Sequence, residues 1–270
     1  MGGKPVTNSE KAVRIERSQD NPALAVVSIC RSKVRNAIND AVINGLLEAA
    51  EELRKDMSVQ AVILTGEGGF FSAGADISTF GNIEDEKDVN LVRHSAYEGK
   101  RLCYEWENLP QLTIAAIEGG AVGGGLGLAV SCDWRVMASD AWAFVPETRI
   151  GLNYGWSTLP RLTSLIGPAR TKTMSILCRR HPAAECESWG LADSVVPSGG
   201  ALAGAVKLAE EALRVPRLAA RIIKRSVNNT ANALHAATSY ADMDEMLVCM
   251  TDPEGNRARE DFIKGTGKGK

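Results

Sequence analysis

Histidine is scarce in this chain, and its three copies, His94, His181 and His235, show no ligand spacing such as H-x-x-x-H. A structural metal is therefore not expected. The six cysteines, Cys30, Cys103, Cys132, Cys178, Cys186 and Cys249, never form a C-x-x-C pair. Most lie inside apolar runs, which suits reduced core thiols better than disulfides or zinc. No G-x-S-x-G elbow is present, which removes the usual serine hydrolase, and no G-K-[ST] follows a glycine loop, which removes a Walker-type phosphate site. Neither charge sign is in excess: 31 basic and 33 acidic residues give a net charge of -2, so there is no electrostatic case for nucleic acid or an acidic membrane surface. No apolar segment approaches the roughly 20 residues of a membrane span, and Met1-Gly-Gly-Lys-Pro lacks the apolar core of a signal peptide. The expectation is a cytoplasmic protein with neither nucleic-acid nor membrane partners.

What is present is the ordinary balance of a globular protein, 44% hydrophobic and 24% charged over 270 residues. Residues 1–10 read as a flexible N-terminus and 265–270 as a flexible tail. Ala12–Arg17 and Ala23–Cys30 read as a strand pair across the turn-forming Asp20-Asn21-Pro22. Val42, Ile43, Leu46, Leu47, Ala50 and Leu53 recur with helical spacing over Asp40–Lys55. Strands are expected at Val59–Thr65, Leu112–Ile117, Trp134–Ala138 and Ser194–Val196, with helices at Leu91–Leu109, Leu126–Cys132, 161–180 and 182–190. Strand alternating with helix argues for parallel strands and right-handed crossovers. The strand-bearing core is expected over residues 11–200, followed from 201 to 264 by helices with apolar stripes that dock on the core or on another subunit.

One stretch stands out: Glu118 to Asp133, E-G-G-A-V-G-G-G-L-G-L-A-V-S-C-D, follows an apolar strand and runs straight into helix-forming residues. Such a backbone approaches something closely and presents amide N–H groups to it. A tight turn with no ligand remains open from glycine content alone. A dinucleotide site fits poorly, because the pattern is G-G-x-x-G-G-G-x-G rather than G-x-G-x-x-G. An oxyanion site needs a second N–H donor from elsewhere, and Ser72-Ala-Gly-Ala-Asp76 after the preceding strand is a candidate.

Taken together and in order, these segments resemble the enoyl-CoA hydratase/isomerase superfamily, the crotonases. The resemblance runs from about residue 10 to 264. It is carried by V-V-S-I-C-R with S-K-V-R-N-A-I-N, by A-V-I-L-T-G-E-G-G-F-F-S-A-G-A-D-I, by the glycine stretch, and by P-E-T-R-I-G-L, A-E-C-E-S-W-G-L-A-D-S-V-V-P and D-P-E-G-N-R-A-R-E-D-F. It implies an α/β fold, a crotonase-like spiral of ββα units with a C-terminal helical trimerisation region, assembled as a homo-oligomer, either a trimer or a dimer of trimers. It implies an acyl-CoA thioester substrate, coenzyme A entering only as part of that substrate, and no separate cofactor. The backbone N–H groups of Ala75 and Gly124 would then hold the thioester oxygen as an enolate forms. Lys33, Val34, Arg35, Ala37, Ala73, Asp76, Ile77, Ser78 and Gly123 would contact substrate, with Lys33 and Arg35 at the CoA end and Lys264 as a further candidate from a neighbouring subunit.

The sequence departs from the family's hydratases at one point. These use two glutamates; the second is matched by Glu147 in Pro146-Glu-Thr-Arg-Ile-Gly151, but the position of the first carries Gly127. The pattern is similar to that of the Δ3,Δ2-enoyl-CoA isomerases, in which one carboxylate moves a proton between C2 and C4, and this role is expected of Glu147. The apolar Phe144-Val145 and Pro146 before it predict a buried carboxyl with a raised pKa. Other chemistries stay open. Aryl-CoA dehalogenases place a carboxylate nucleophile after the I-G segment, where Leu152-Asn153-Tyr154-Gly155 supplies none. Tyr154 or Asn153 could serve a decarboxylase or retro-aldol lyase, hydration could proceed on Glu147 alone, and a non-catalytic acyl-CoA-binding member is a further alternative. Asp76 reads as a loop-stabilising residue. Trp142 and Trp156 flank the Glu147 segment and read as core indoles, with a bulky acyl group as the alternative.

Overall fold

A computed structural model describes residues 11–76 and 88–266. In chain order it contains β1 (Val13–Arg17), β2 (Leu24–Ile29), α1 (Asp40–Lys55), β3 (Ala61–Gly66), α2 (Val89–Glu107), β4 (Leu112–Ile117), β5 (Gly120–Val122), α3 (Gly124–Ala129), β6 (Trp134–Ala138) and β7 (Trp142–Phe144). There follow α4 (Thr158–Ile166), α5 (Pro168–Leu177), β8 (Arg180–Pro182), α6 (Ala183–Trp189), β9 (Ser194–Val196), α7 (Ala201–Ala212), α8 (Arg217–Ala231), α9 (His235–Thr238), α10 (Asp242–Thr251) and α11 (Pro253–Thr266).

Two sheets stand in layers. The larger has the order β1-β2-β3-β4-β6-β9, with β1 antiparallel to β2 and every other neighbour parallel. Its central strands are covered on both faces, so LAVVSI, AVILTG and LTIAAI are nearly continuous apolar runs. The smaller sheet, β5-β7-β8, is joined by isolated bridges Ser72↔Ala121 and Ile38↔Ala75. A repeating course results: a strand of the large sheet, a short extended piece in the second layer, then a helix. It is seen in β2–Ile38–α1 and β4–β5–α3, the spiral of ββα units that the resemblance implied.

The local chemistry explains the elements. Asn39 caps α1, its side chain accepting from Val42 N–H at 3.2 Å. Asp88 caps α2 in the same way, accepting from Asn90 N–H, which starts that helix two residues before the expected Leu91. Instead of one helix over 161–180 there are two, because Gly167 turns with φ 79° and Pro168 opens α5. The helix expected at Leu126–Cys132 begins earlier, at Gly124, because Gly123 turns the chain with φ 48° and ψ -125°. The three-residue strands β5, β7 and β8 were not expected; they are too short to show an alternation. α11 continues through Thr266, into the stretch expected as a tail.

The core lies between the large sheet, α1, α2 and α7; α7 lies across β3, β4 and β6. α8 is different: Leu218, Ile222, Ile223 and Val227 are exposed on it, while its Lys224 is buried, with Nζ 2.7 Å from both Asp133 and the Gln111 carbonyl. The last two helices fold back: α10 packs on α2, and α11 packs on the turn Glu147–Ile150. There a Cβ on Gly151 would come within 2.2 Å of Gly255 Cα, so two glycines meet to seat the helix on the turn.

Candidate active site

Segment 72–76 is stitched in on both sides. Ser72 N–H donates to the Gly120 carbonyl and Val122 N–H to the Ser72 carbonyl, while Ala73 N–H donates to Arg35 O, Ile38 N–H to Gly74 O and Asp76 N–H to Ile38 O. In this parallel bridge the two residues flanking Ala75 face Ile38. The N–H of Ala75 must therefore point the other way, and it has no protein acceptor among the described residues. Gly74 brings this loop against the glycine stretch; with φ 84° it has no Cβ, and one placed there would stand 2.6 Å from Val122 O and 3.3 Å from Gly124 N. Gly124 is the first residue of α3 and its N–H has no intrahelical partner. Since α3 is only six residues long, the peptide N–H itself, rather than a helix dipole, is the useful donor there.

Both residues line a cavity of about 450 Å³, and so does Glu147. Glu147 opens the short turn Glu147–Ile150, closed by Gly151 at φ 70° and by Leu152 N–H donating to the Glu147 carbonyl. The residue lines the cavity, yet its Oε2 is out of reach of solvent and has no hydrogen-bond partner among the described residues. Burial pushes its pKa up to about 8, as the apolar run before it led us to expect. Gly123 is what lets the carboxyl come so close to the glycine stretch, because a Cβ at that position would lie 2.6 Å from Glu147 Oε1.

Around this centre several other polar groups are already hydrogen-bonded. Asp76, which also lines the cavity, accepts from Arg31 Nη1 at 3.0 Å, and the same nitrogen donates to the Ala37 carbonyl at 2.6 Å. Tyr154 is 4% exposed and donates its hydroxyl to the Gly123 carbonyl at 2.8 Å. Asn153 donates to the Asp242 carbonyl, leaving its Oδ1 buried without a partner among the described residues. At Gly127 a Cβ would lie 2.7 Å from Thr158 Oγ1, so that hydroxyl fills the space of the absent side chain.

Trp156 and Ser157 both adopt the left-handed conformation, with φ 59° and 54°. Four contacts hold them there. Ser157 N–H donates to Asp242 Oδ2 at 2.6 Å, Trp156 N–H contacts Met243 Sδ, and Arg161 Nη1 donates to both carbonyls. The Trp156 indole fits against Gly99 and Gly124, where added Cβ atoms would stand 2.0 and 2.6 Å from the ring.

Of the expected substrate contacts, Val34, Arg35, Ala37, Ala73, Asp76 and Gly123 line the same cavity as Ala75, Gly124 and Glu147. Lys33 is not on that wall. It sits exposed on the turn Ser32–Val34, which Arg35 closes at φ 52°, turning residues 34 and 35 rather than 33 toward the cavity. Ile77 and Ser78 lie outside the described residues. Lys264 forms an exposed pair with Glu260 at 3.1 Å. Trp142 is a packing indole, edge-on to Phe70 and Phe144, but Trp156 is a cavity wall, which corrects its reading as core alone.

Three contributors were missed. Met246 and Phe262 reach the cavity from α10 and α11, and nothing local in the sequence links those helices to the Glu147 turn. Fully buried Asn36 accepts from Arg31 N–H and donates to the carbonyls of Glu67 and Phe70, tying the substrate loop to the end of β3. Its signal was an asparagine in a basic turn, one of the few residue types with a side chain that tolerate φ 55°.

Comparison with known proteins agrees with this geometry. The pattern of the family described as enoyl-CoA hydratase/isomerase matches residues 19–260. The chain is 33% identical over 218 residues to the probable enoyl-CoA hydratase echA8 of Mycobacterium tuberculosis, covering 81% of each protein. It is 32% identical over 199 residues to the peroxisomal fatty acid beta-oxidation multifunctional protein AIM1 of Arabidopsis thaliana, covering 74% of this chain but 27% of that one. Its fold matches the crystal structure of an enoyl-CoA hydratase from Mycobacterium avium subsp. paratuberculosis with a TM-score of 0.82 and 25% identity, over 94% of this chain and 96% of that one. The chain belongs to the enoyl-CoA hydratase/isomerase family of enzymes.

Proposed function

We propose that this enzyme moves a double bond along an acyl-CoA, converting a 3-enoyl to a 2-enoyl thioester. The observation that carries this reading is the solitary carboxyl. Of the two carboxylates that line the cavity among the described residues, Asp76 is held by Arg31, and Glu147 is the one with a buried, unpartnered oxygen. Where a second working carboxylate would project, Gly127 meets Thr158. The ionised Glu147 takes a proton from C2, the thioester oxygen becomes an enolate oxygen held by Ala75 and Gly124 N–H, and the same carboxyl returns a proton to C4. The carboxylate is regenerated and the step balances with no added cofactor. Fixed N–H donors favour the enolate over the ground-state carbonyl, which lowers the barrier rather than merely tightening binding.

Arg35, at the cavity wall and 5.8 Å over the Phe70 ring, is suited to the phosphates of CoA. The outward apolar stripe of α8 supports assembly into trimers or pairs of trimers. Hydration of a 2-enoyl-CoA on Glu147 alone is the second reading, favoured by the hydratase names of the relatives. Following the products from a 3-enoyl-CoA and a 2-enoyl-CoA separates the two. Double-bond migration that disappears in Glu147→Gln is expected, and fast hydration that survives Glu147→Ala contradicts the proposal.

A further inference from the structure

Tyr154 stands beside the reaction centre without a hydroxyl free to take part in it. Its O–H donates to the Gly123 carbonyl at 2.8 Å, and that same oxygen accepts Gly127 N–H at 3.0 Å, the first backbone bond of α3. The peptide unit that carries the Gly123 carbonyl carries the Gly124 N–H at its other end. The unit is planar and trans, so whatever fixes the oxygen also fixes the direction of the N–H. Two donors on the carbonyl polarise the unit and make its N–H a stronger donor, as bonds in a chain strengthen one another.

The backbone bonds at this place, Gly127 N–H to the Gly123 carbonyl and Gly123 N–H to the Phe144 carbonyl, hold the chain, and among the described residues Tyr154 adds the one side-chain donor on that oxygen. Gly123 at φ 48° and ψ -125° lies where only glycine rests comfortably, and glycine by itself leaves the plane free to rotate. Gly124 has no Cβ to brace it, and the Trp156 indole fills the space where one would stand. Burial and the neighbouring Glu147 carboxyl hold the Tyr154 pKa well above the ordinary phenol range, so the hydroxyl keeps the proton it donates.

We infer that Tyr154 is a positioning residue: through the Gly123–Gly124 peptide it aims and strengthens one of the two N–H donors that receive the thioester oxygen. This rests on the oxyanion role proposed above for Ala75 and Gly124. It also gives Tyr154, which lines the cavity, a place in the reaction through the bond its hydroxyl makes to Gly123, unlike the lyase or decarboxylase roles that its position in the sequence left open.

The test reads the carbonyl directly. Hexanoyl-CoA labelled with ¹³C at C1 has no double bond to move or hydrate, and isotope-edited infrared spectra give its C=O stretch free and bound. The wild-type enzyme is expected to lower that frequency on binding. Tyr154→Phe should return part of the shift, bind hexanoyl-CoA within about threefold of wild type, and lower kcat on a turned-over enoyl-CoA by about tenfold. That loss is smaller than the 10²–10³ that removal of a whole oxyanion donor brings. Incorporating 3-fluorotyrosine at 154, a more acidic phenol of nearly the same shape, should lower the frequency beyond wild type. A Tyr154→Phe enzyme whose bound carbonyl matches wild type, or a fluorotyrosine enzyme whose carbonyl moves the opposite way, overturns the inference. A wild-type enzyme that leaves the carbonyl at its free frequency overturns the oxyanion reading beneath it.

Discussion

Thr158 Oγ1 occupies the space into which a side chain at Gly127 would grow: a Cβ there would stand 2.7 Å from it, closer than real Cβ contacts allow. The hydroxyl is buried. The absence of a carboxylate at 127 is therefore matched by a neighbour that closes the gap, rather than leaving a pocket ready for one.

Installing hydratase chemistry should need both positions. Gly127→Glu alone overpacks the wall beside α3 and is expected to lower stability by about 1–3 kcal/mol without gaining hydration. Gly127→Glu with Thr158→Gly should recover part of that stability. Urea melts of the three proteins, with an assay for 3-hydroxyacyl-CoA, check the order.

The pH dependence follows from Glu147. Its carboxyl must be ionised to take the C2 proton, and burial lifts its pKa to about 8, so kcat/KM should rise with pH through that value and level off above it. Stability should run the other way. The unfolded carboxyl ionises near 4.5 while the folded one stays protonated, so folding binds the proton more tightly, and this cost grows from about pH 4.5 to pH 8. Glu147→Gln removes it. The variant should be more stable than wild type at pH 9 by on the order of 3–5 kcal/mol and nearly equal to it at pH 4, as read by denaturant titration at the two pH values.

Asp242 is the clamp for the strained Trp156-Ser157 pair. It accepts Ser157 N–H at 2.6 Å and Lys100 Nζ at 2.8 Å, and the Lys100 ammonium also meets the Ser239 carbonyl. Asp242→Ala leaves a partly buried ammonium and a backbone N–H without their acceptor. A loss of about 2–4 kcal/mol is expected, with weaker acyl-CoA binding as the indole wall loosens. Thermal melts and the intrinsic tryptophan emission, which should shift to the red, report both effects.

The frame of the large sheet was legible because its strands are buried on both faces: A-V-I-L-T and L-T-I-A-A-I can hardly be anything else, and α1 announces itself by its apolar spacing and its Asn39 cap. Glu147 was legible from its motif, and its burial from the Phe144-Val145-Pro146 that precedes it. What stayed hidden depends on contacts distant in the chain. Phe262 reaches the site because Gly151 and Gly255 let α11 sit on the Glu147 turn, and Met246 because α10 packs on α2. The Tyr154 bond to Gly123 joins residues 31 positions apart through a backbone carbonyl, which no side-chain pattern encodes. Lys33 lies off the cavity wall for a related reason: the turn geometry, not the charge, decides which residues of a basic loop face inward.

The central claim is that one carboxyl carries the proton from C2 to C4. A 3-enoyl-CoA deuterated at C2 tests it most directly, with the 2-enoyl product analysed by NMR after a single turnover in ordinary water. The account predicts deuterium at C4 in part of the product and a loss of at least about 10³ in rate for Glu147→Gln. A product with a hydroxyl at C3, no label at C4 and an undiminished rate in Glu147→Gln would contradict it.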